Sequence, residues 1–146
     1  MNLNELQFLT LVALGKFLIN VRSSDNSVTI LKQRKAGGEW ARCESVQPDT
    51  GYYRVSFRWP GYRNSRWVYS HRVIFAFCSG LVIPKGMVVN HKNLDKSDNW
   101  VHNLELVTLS ENARHATAEG RRPPLTRDEV VKIRSLHGTG QTVRTI

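Results

Sequence analysis

The sequence has few of the residues that build disulfide frameworks or structural zinc sites. Its 146 residues include two cysteines, Cys43 and Cys78, which lie 35 positions apart and form no CxxC pair. A zinc knuckle or a set of disulfides therefore has no support. Each cysteine is expected to be a small buried or half-buried residue in a reducing compartment.

Long apolar runs are also missing. A membrane-spanning helix needs roughly 18 or more predominantly apolar residues, and Leu3–Val21 is the one stretch that approaches this. No basic residue precedes it and no small-residue cleavage site follows it, so a secretory signal is not indicated either. We expect this stretch to pack in the core, without a membrane partner. It is interrupted by Asn4, Glu5, Gln7, Thr10, Gly15, Lys16 and Asn20.

Acidic residues are scarce relative to basic ones. The chain has 12 Asp plus Glu against 21 Lys plus Arg, a formal net charge of +9 at pH 7. A surplus of this size is typical of proteins that meet a polyanion. The 40% of apolar residues is enough for one compact domain with a buried core.

The first half of the chain combines one helix with short strands. Leu3–Phe17 predicts a helix that ends near Gly15, and Ser23–Ser27 is a polar turn. From Val28 to Val68 the runs VTILKQR, YYRVSFRW and RWVYS are separated by turn signals, which indicates a small antiparallel sheet. Alternation within Tyr52–Trp59 predicts one wet, cationic face, which consists of Tyr52, Arg54, Ser56 and Arg58.

The second half predicts a helix, two strands and another helix. Ser70 is placed to cap a helix over Arg72–Cys78 that ends at Ser79-Gly80. Thr108 and Glu111 form a capping box for the last helix. The order is strand, loop, strand, helix, over Met87–His91, Lys92–His102, Leu104–Thr108 and Leu109–Ala118.

The end of the second half carries polar residues suited to hydrolysis of a phosphodiester. That reaction needs a base to activate water, a cation to polarise the phosphate, and a scaffold that holds both. Asn90 and His91 end a strand and, being adjacent, point to opposite sides. Asn112 lies in the first turn of the helix that follows the strand pair.

The pattern around these residues resembles the HNH endonucleases of phages and self-splicing introns, from about Gly51 to Ala116. His91, Asn103 and Asn112 are separated by 12 and then 9 positions, as in that family. The resemblance implies an α+β fold with a ββα-metal (His-Me finger) core on a small antiparallel sheet with flanking helices. It rests on His71-Arg72 followed by VIFAF, VVNH ending at His91, the loop LDKSDNW, NLELVT at Asn103–Thr108, and Glu111-Asn112.

The resemblance also implies roles. His91 would be the general base. Asn103 would hold the His91 ring or brace the loop, and a purely structural role is the alternative. Asn90 and Asn112 would bind one divalent cation, Mg²⁺ first and Mn²⁺ second, because such ions prefer oxygen ligands. Many relatives have Asp at position 90, so the metal site is expected to form with DNA phosphate present. His115, one turn beyond Asn112, is a substitute ligand.

Contact with double-stranded DNA is expected from cations around this site, giving salt-sensitive and largely backbone-directed binding. His71 is expected to pack on the core at the entry of its helix, and His102 and His115 to be exposed. Trp59, Trp67 and Trp100 fit either the core or the groove-facing surface. The cations are Arg54, Arg58, Arg63, Arg66, Arg72, Lys92, Lys96, Arg114, Arg121 and Arg122.

Four parts are predicted along the chain. Residues 1–22 form an N-terminal helix, 23–119 the nuclease domain, 120–125 a linker and 126–146 an incomplete tail that resembles a helix-turn-helix. In this tail Thr126 begins a helix, but the second, recognition helix is absent, so base-specific reading is not assigned to it.

The function predicted from the resemblance is a metal-dependent DNA endonuclease of the homing type, from a phage or mobile element in a bacterial cytoplasm. It would nick DNA or cut both strands, leaving 5′-phosphate and 3′-hydroxyl ends. It would act as a monomer without a small-molecule cofactor. The alternatives are a catalytically inactive DNA-binding protein of the same fold and a protein-interaction module whose basic surface meets an acidic partner.

Overall fold

The computed structural model describes residues 1–118, 120 and 126–131. These fall into two compact units, Met1–Leu109 and a second that begins at Ser110. Helices alternate with antiparallel strands, which confirms the α+β class. The elements are α1 (Leu3–Ala13), β1 (Phe17–Arg22), β2 (Ser27–Gln33), β3 (Trp40–Arg42), β4 (Glu44–Val46), β5 (Tyr53–Phe57), β6 (Arg66–Tyr69), α2 (Ser70–Ser79), β7 (Met87–His91), β8 (Leu104–Thr108) and α3 (Leu109–Ala118).

Helix α1 begins with a capping box and ends earlier than predicted. The Asn2 side chain accepts from the Glu5 amide, and the Glu5 carboxylate accepts from the Asn2 amide. Gly15 adopts a left-handed conformation, with φ of +67°, just after the helix. The chain therefore turns at Gly15, and Phe17 begins β1 rather than ending the helix.

The first sheet has the antiparallel order β1-β2-β3. Its turn between β1 and β2 is stabilised by Asp25, which accepts from the amide and hydroxyl of Ser27. Alternate residues of β1 and β2 face the core, which is the period of two expected of a half-buried strand. These are Phe17, Ile19, Val28 and Ile30, all less than 7% exposed.

The second sheet has the antiparallel order β4-β5-β6, with Val55 opposite Val68 and Ser56 opposite Trp67. Val55 and Val68 are buried, whereas Ser56 and Trp67 are exposed. The alternation predicted for this segment is confirmed over Val55–Arg58, whereas Tyr52 and Arg54, predicted to be wet, are half-buried. The structure has two three-stranded sheets where one small sheet was predicted, because β3 and β4 have only three residues each and show no period in the sequence.

Helix α2 follows β6 directly, without a polar cap. Tyr69 is the N-cap residue and makes no side-chain capping bond, while the Ser70 hydroxyl is buried and has no hydrogen-bond partner among the residues that the structure describes. The prediction that Ser70 caps this helix is wrong, because the chain passes straight from strand to helix and draws Ser70 into the core. The predicted end is confirmed, since Gly80 takes the left-handed conformation just after Ser79.

The core of the first unit forms where α1 and α2 pack against the sheets. Phe8 is fully buried, and its ring centroid lies 4.8 Å from that of Phe17 and 5.6 Å from that of Phe57. One residue of α1 thereby joins both three-stranded sheets. Full burial of such a ring contributes about 1.5–3 kcal/mol to folding. Among the described residues, no helix is long and apolar enough to cross a bilayer.

Strands β7 and β8 form an antiparallel pair, in which Asn90 lies opposite Glu105 and His91 opposite Leu104. Both strands pack against α2, and Val89 and Leu104 enter the core. Helix α3 follows β8 without a break, which confirms the predicted order of strand, loop, strand and helix. The loop of residues 92–103, called the hairpin loop below, ends in a short 3-10 turn at Val101–Asn103.

Part of the predicted C-terminal segment falls within the described residues. Residues 127–131 are helical, and Thr126 and Glu129 form a capping box in which each side chain bonds the other's backbone amide. Arg121, Arg122, most of the linker and residues 132–146 lie outside the described residues. The predicted division into four parts stays a prediction.

Candidate active site

His91, the predicted general base, is the last residue of β7 and is almost fully buried, at 2% exposure. Its Nε2 atom lies 3.0 Å from the Oδ1 atom of Asn99, a residue that is itself 5% exposed. Asn99 was not among the predicted site residues. The spacing of the loop asparagines does not distinguish Asn99 from the others, because its contact with His91 arises only when the hairpin loop folds back.

The surroundings of His91 favour a neutral imidazole. Burial lowers the pKa of His91 below the usual histidine value of 6.5. The hydrogen bond with Asn99 and the charges of Asp98 and Asp95 oppose this effect and act to raise the pKa. A neutral ring is the form that can accept a proton, so His91 suits the role of general base near neutral pH.

A second histidine lies against the first. His71, in the first turn of α2, is 6% exposed, and its ring centroid is 5.1 Å from that of His91. Burial lowers the pKa of His71 to about 3, with further lowering from the charges of His91 and Arg72. The ring next to His91 is therefore uncharged at physiological pH. His71 packs at the helix entry, as the sequence suggested.

Tyr52 and Lys96 complete the surroundings of the two histidines. The Tyr52 ring centroid is 4.9 Å from that of His71 and 5.9 Å from that of His91. The Lys96 ammonium lies 4.6 Å from the centre of the Tyr52 ring and donates to the Thr50 carbonyl at 2.5 Å. Lys96, predicted to contact DNA, thus also ties the hairpin loop to the turn between β4 and β5.

Asn103 braces the hairpin loop. Its amide nitrogen donates to the Asn93 side chain at 2.9 Å and to the Asp98 carbonyl at 2.8 Å, and its amide oxygen accepts from the Asn93 backbone at 3.1 Å. Of the two predicted roles, these bonds fit the loop brace, because the bond to the His91 ring is made by Asn99.

Asn90 faces the opposite side of β7 from His91 and is paired with a carboxylate. Its amide nitrogen donates to Glu105 at 2.9 Å, and the two residues are direct cross-strand neighbours. Glu105 was also missed by the sequence analysis. It could have been found, because pairing Met87–His91 with Leu104–Thr108 end to end places Glu105 opposite Asn90.

Asn112, the second predicted metal ligand, belongs to the other unit. It lies in the first turn of α3 and is half-buried, next to the exposed Glu111. Arg114 is exposed on the same helix, and His115, half-buried rather than exposed, is one turn beyond Asn112. The hairpin brings Asn90, His91 and Asn103 together within the first unit.

The donor atoms fit a hard cation better than a soft one. Among the residues that the structure describes, no cluster of three or more His, Cys, Asp or Glu is arranged to hold a metal. The predicted ligands Asn90 and Asn112 offer amide oxygens, and Glu105 places a carboxylate beside Asn90. Oxygen donors suit a hard ion such as Mg²⁺, which keeps water and phosphate oxygens as further ligands.

The outer face of the β4-β5-β6 sheet, called the sheet face below, pairs a cation with an aromatic ring. On this face the Arg54 guanidinium lies 6.0 Å from the centre of the Trp67 ring. Arg66 pairs with the buried Phe57 and so lies on the other side of β6, where its guanidinium is 4.0 Å from the centre of the Tyr62 ring and donates to the Asn4 amide oxygen at 2.6 Å. Trp67 is 44% exposed and Tyr62 45%. Arg58 and Arg63, outside the strands, are exposed as well. Stacked arginines beside exposed aromatic rings are suited to nucleic acid contacts.

Like Lys96 and Arg66, the predicted cations Arg72 and Lys92 have partners within the protein. Both nitrogens of the Arg72 fork donate to the buried carboxylate of Glu5, which is 2% exposed. Arg72 thereby neutralises a charge inside the core, and its predicted DNA contact stays a prediction. Lys92 is exposed and donates to the His102 carbonyl at 2.8 Å, at the far end of the hairpin loop.

Two of the three candidate tryptophans lie against the core. Trp59 and Trp100 are half-buried and pack against the core, so Trp67 is the exposed member of the three candidates. His102 is exposed, as predicted. Both cysteines are free, but Cys78 is exposed on the last turn of α2, contrary to the prediction that each cysteine is at least half-buried.

Comparison with known proteins supports the motif found in the sequence. Residues 68–114 match the family model described as HNH endonuclease. The chain is also 55% identical over 38 residues to YosQ, an SPbeta prophage-derived protein of Bacillus subtilis (strain 168) whose name places it among the HNH homing endonucleases. That match covers 26% of this chain and 22% of YosQ, so it spans about a fifth of the relative's length.

A solved structure shows the same fold. It is that of the HNH homing endonuclease I-HmuI, described by its DNA binding and cleavage, with a TM-score of 0.51 and 22% sequence identity. The likeness covers 75% of this chain and 57% of I-HmuI. The resemblance to the HNH endonucleases is thereby confirmed, and residues 68–114, which contain His91, Asn103 and Asn112, carry the signature of that family.

Proposed function

We propose that this protein is a metal-dependent HNH endonuclease of the homing type that hydrolyses phosphodiester bonds in double-stranded DNA. The observation that carries the proposal is the placement of His91 at the end of β7, neutral, buried and bonded to Asn99, within the matched segment. I-HmuI, which has the same fold, is described as binding and cleaving DNA.

In the proposed reaction the His91 ring takes a proton from a water molecule. The water oxygen forms a bond to phosphorus, the bond between phosphorus and the 3′ oxygen breaks, and that oxygen leaves with a proton from solvent. The products carry 5′-phosphate and 3′-hydroxyl ends. General base catalysis of this kind contributes about 10²–10⁴-fold to a rate.

Asn90 and Asn112 are the residues that would hold a divalent cation, Mg²⁺ or Mn²⁺. When bound, the cation supplies charge stabilisation at the phosphate and the leaving oxygen. Asn90 is oriented by its bond to Glu105, and Asn103 keeps the hairpin loop folded around the base.

DNA is held in this proposal by the cations of the sheet face, the hairpin loop and α3. These contacts are directed at the phosphate backbone, so affinity should fall steeply with salt. The net charge of +9 and the Arg54–Trp67 pair, whose ring is exposed, support this assignment. Arg121 and Arg122, which lie outside the described residues, are also proposed to contact DNA, on the basis of the sequence.

The proposed setting is the cytoplasm of a bacterial host, with the protein encoded by a phage or mobile element and acting as a monomer on DNA. The prophage origin of YosQ supports this setting. One motif supplies one active site, so a monomer is expected to nick a single strand. No membrane and no small-molecule cofactor enter the proposal.

Cleavage of supercoiled plasmid in Mg²⁺ or Mn²⁺ tests the proposal. Wild-type protein should produce nicked circles, and His91→Ala should not. His102→Ala is the matched control, because this histidine is exposed at the other end of the hairpin loop and should leave the rate unchanged. Equal cleavage by wild type and His91→Ala would remove His91 from the mechanism.

A second candidate function is DNA binding without cleavage. The observation that favours it is Asn90, a neutral residue where many HNH relatives have a carboxylate. In that case wild-type protein binds DNA but cuts no substrate in any divalent metal, and Asn90→Asp is the variant that should create activity. Absence of salt-dependent DNA binding would contradict both candidates and favour a protein partner.

A further inference from the structure

The hydrogen bond between His91 and Asn99 determines which nitrogen of the histidine can act. We propose that Asn99 is a positioning residue that fixes His91 in the tautomer with hydrogen on Nε2, so that Nδ1 is the atom that takes the proton from water. This inference rests on the proposed function, in which His91 is the general base.

The direction of the bond follows from the atoms that make it. The Asn99 Oδ1 atom is a carbonyl oxygen and can only accept, so the His91 Nε2 atom at 3.0 Å must carry a hydrogen and donate it. A neutral imidazole has one N–H group, and the lone pair is then on Nδ1. Both residues are at least 95% buried, so loss of this bond would leave polar atoms unsatisfied in the interior.

The orientation of Asn99 is held by the loop on both sides of it. Asn99 donates its backbone amide to the Ser97 carbonyl at 3.1 Å. The preceding residue, Asp98, accepts from Asn103 at its carbonyl and from the Trp100 amide at its side chain. Asn103, the central asparagine of the motif, therefore affects the base indirectly. It holds Asp98 in place, and this places the next residue, Asn99, against His91.

The His91 ring is also confined by its neighbours. The rings of His71 and Tyr52 lie at 5.1 Å and 5.9 Å from it, and Tyr52 is held in turn by Lys96. Rotation of His91 that exchanged the two edges of its ring would have to displace these contacts. Packing thus limits the position of the His91 ring, and the hydrogen bond to Asn99 selects its tautomer.

Nitrogen-15 NMR of the full chain, with labelled histidine and without metal or DNA, tests the proposal directly. The His91 signals are identified by their absence in His91→Ala. At a pH where the ring is neutral, Nε2 should have the shift of a protonated nitrogen and Nδ1 that of an unprotonated one. The opposite pattern, which a reversed Asn99 amide would produce, would overturn the proposal.

Three variants sharpen this test. Asn99→Ala should give a mixture of both tautomers and a single-turnover cleavage rate lower by about 10–100-fold, the effect expected for loss of an orienting partner. Asn99→Asp retains an accepting oxygen and should restore the wild-type tautomer. Ser97→Ala is the control, since its exposed hydroxyl bonds only Asp95 among the described contacts. An unchanged tautomer in Asn99→Ala would refute the role of Asn99.

The result can be separated from the fate of the proposed function. If Asn99→Ala changes the tautomer while His91→Ala still cleaves at the wild-type rate, Asn99 orients the ring but His91 is not the base. If Asn99→Ala does not fold, as judged by circular dichroism, the wild-type and Asn99→Asp spectra still decide the tautomer.

Discussion

The hairpin loop and the sheet face use polar residues in opposite ways. In the loop, Asn93, Asp98 and Asn103 are bonded to one another, and Asn99 is bonded to His91. On the sheet face, the half-buried Arg54 lies over the ring of Trp67, which is exposed. The first arrangement preorganises a reacting group, whereas the second leaves cations available for a partner. Chemistry and DNA affinity should therefore be separable by mutation.

Replacing His91 should have the largest effect and should fall on the chemical step alone. We expect His91→Ala to lower the single-turnover rate of DNA cleavage by about 10²–10⁴-fold, because the general base is lost. The Kd for DNA should stay within about twofold, since the side chain is buried. Quench-flow kinetics and fluorescence anisotropy measure the two quantities. A loss of affinity as large as the loss of rate would show that chemistry and DNA affinity are not separable by mutation.

Replacing Asn103 should loosen the hairpin loop. Asn103→Ala removes three hydrogen bonds to Asn93 and Asp98, and we expect a loss of about 1–3 kcal/mol in the free energy of unfolding. Urea denaturation measures this loss.

Asn103→Asp serves as the graded control for this loss, because it keeps the oxygen that accepts from Asn93 and loses both donors. It should lie between wild type and Asn103→Ala. Equal stability of all three proteins would show that these bonds do not hold the loop.

The ring of His71 contacts both His91, at the end of β7, and Tyr69, at the end of β6. Burial lowers the pKa of His71 from 6.5 to about 3. Between these two pH values, the unfolded chain therefore binds a proton at His71 that the folded chain does not bind. The contribution of His71 to stability is present above pH 6.5 and is lost as the pH falls towards 3, at about 1.4 kcal/mol per pH unit.

The pH dependence of unfolding checks this prediction by difference. Between pH 6.5 and 4.5, His71→Leu should lose less stability than wild type, since leucine takes up no proton. His102→Ala should follow the wild-type curve, because His102 is exposed. Parallel curves for wild type and His71→Leu would mean that His71 is protonated in the folded protein.

The difference between the two regions also explains what the sequence could predict. β7, β8 and α3 have the predicted bounds, because each is set by local signals: an apolar run, a polar loop and a turn residue before a helix. The alternation along β5 correctly placed Arg54 on the outer side. Such features depend on residues close in the chain.

Features that depend on distant packing were missed. The sequence assigned Phe17 to a helix, but its contact with Phe8 and its place in the first sheet make it a strand residue. Asn99 could not be distinguished from Asn93, because its contact with His91 requires a loop closed by Asn103. Glu105 could have been predicted from the sequence, because the register of the two predicted strands places it opposite Asn90.

The smallest effect is expected from a single cation of the sheet face. Arg54→Ala should weaken DNA binding a few-fold and lower the slope of log Kd against log salt by about 1, as expected for one lost phosphate contact. The cleavage rate at saturating DNA should not change, because Arg54 takes no part in the hairpin loop. Arg34→Ala, at an exposed position beyond β2, is the control of equal charge. If both variants lose affinity equally, DNA responds to net charge alone, and the aromatic pairing of Arg54 with Trp67 does not define the contact surface.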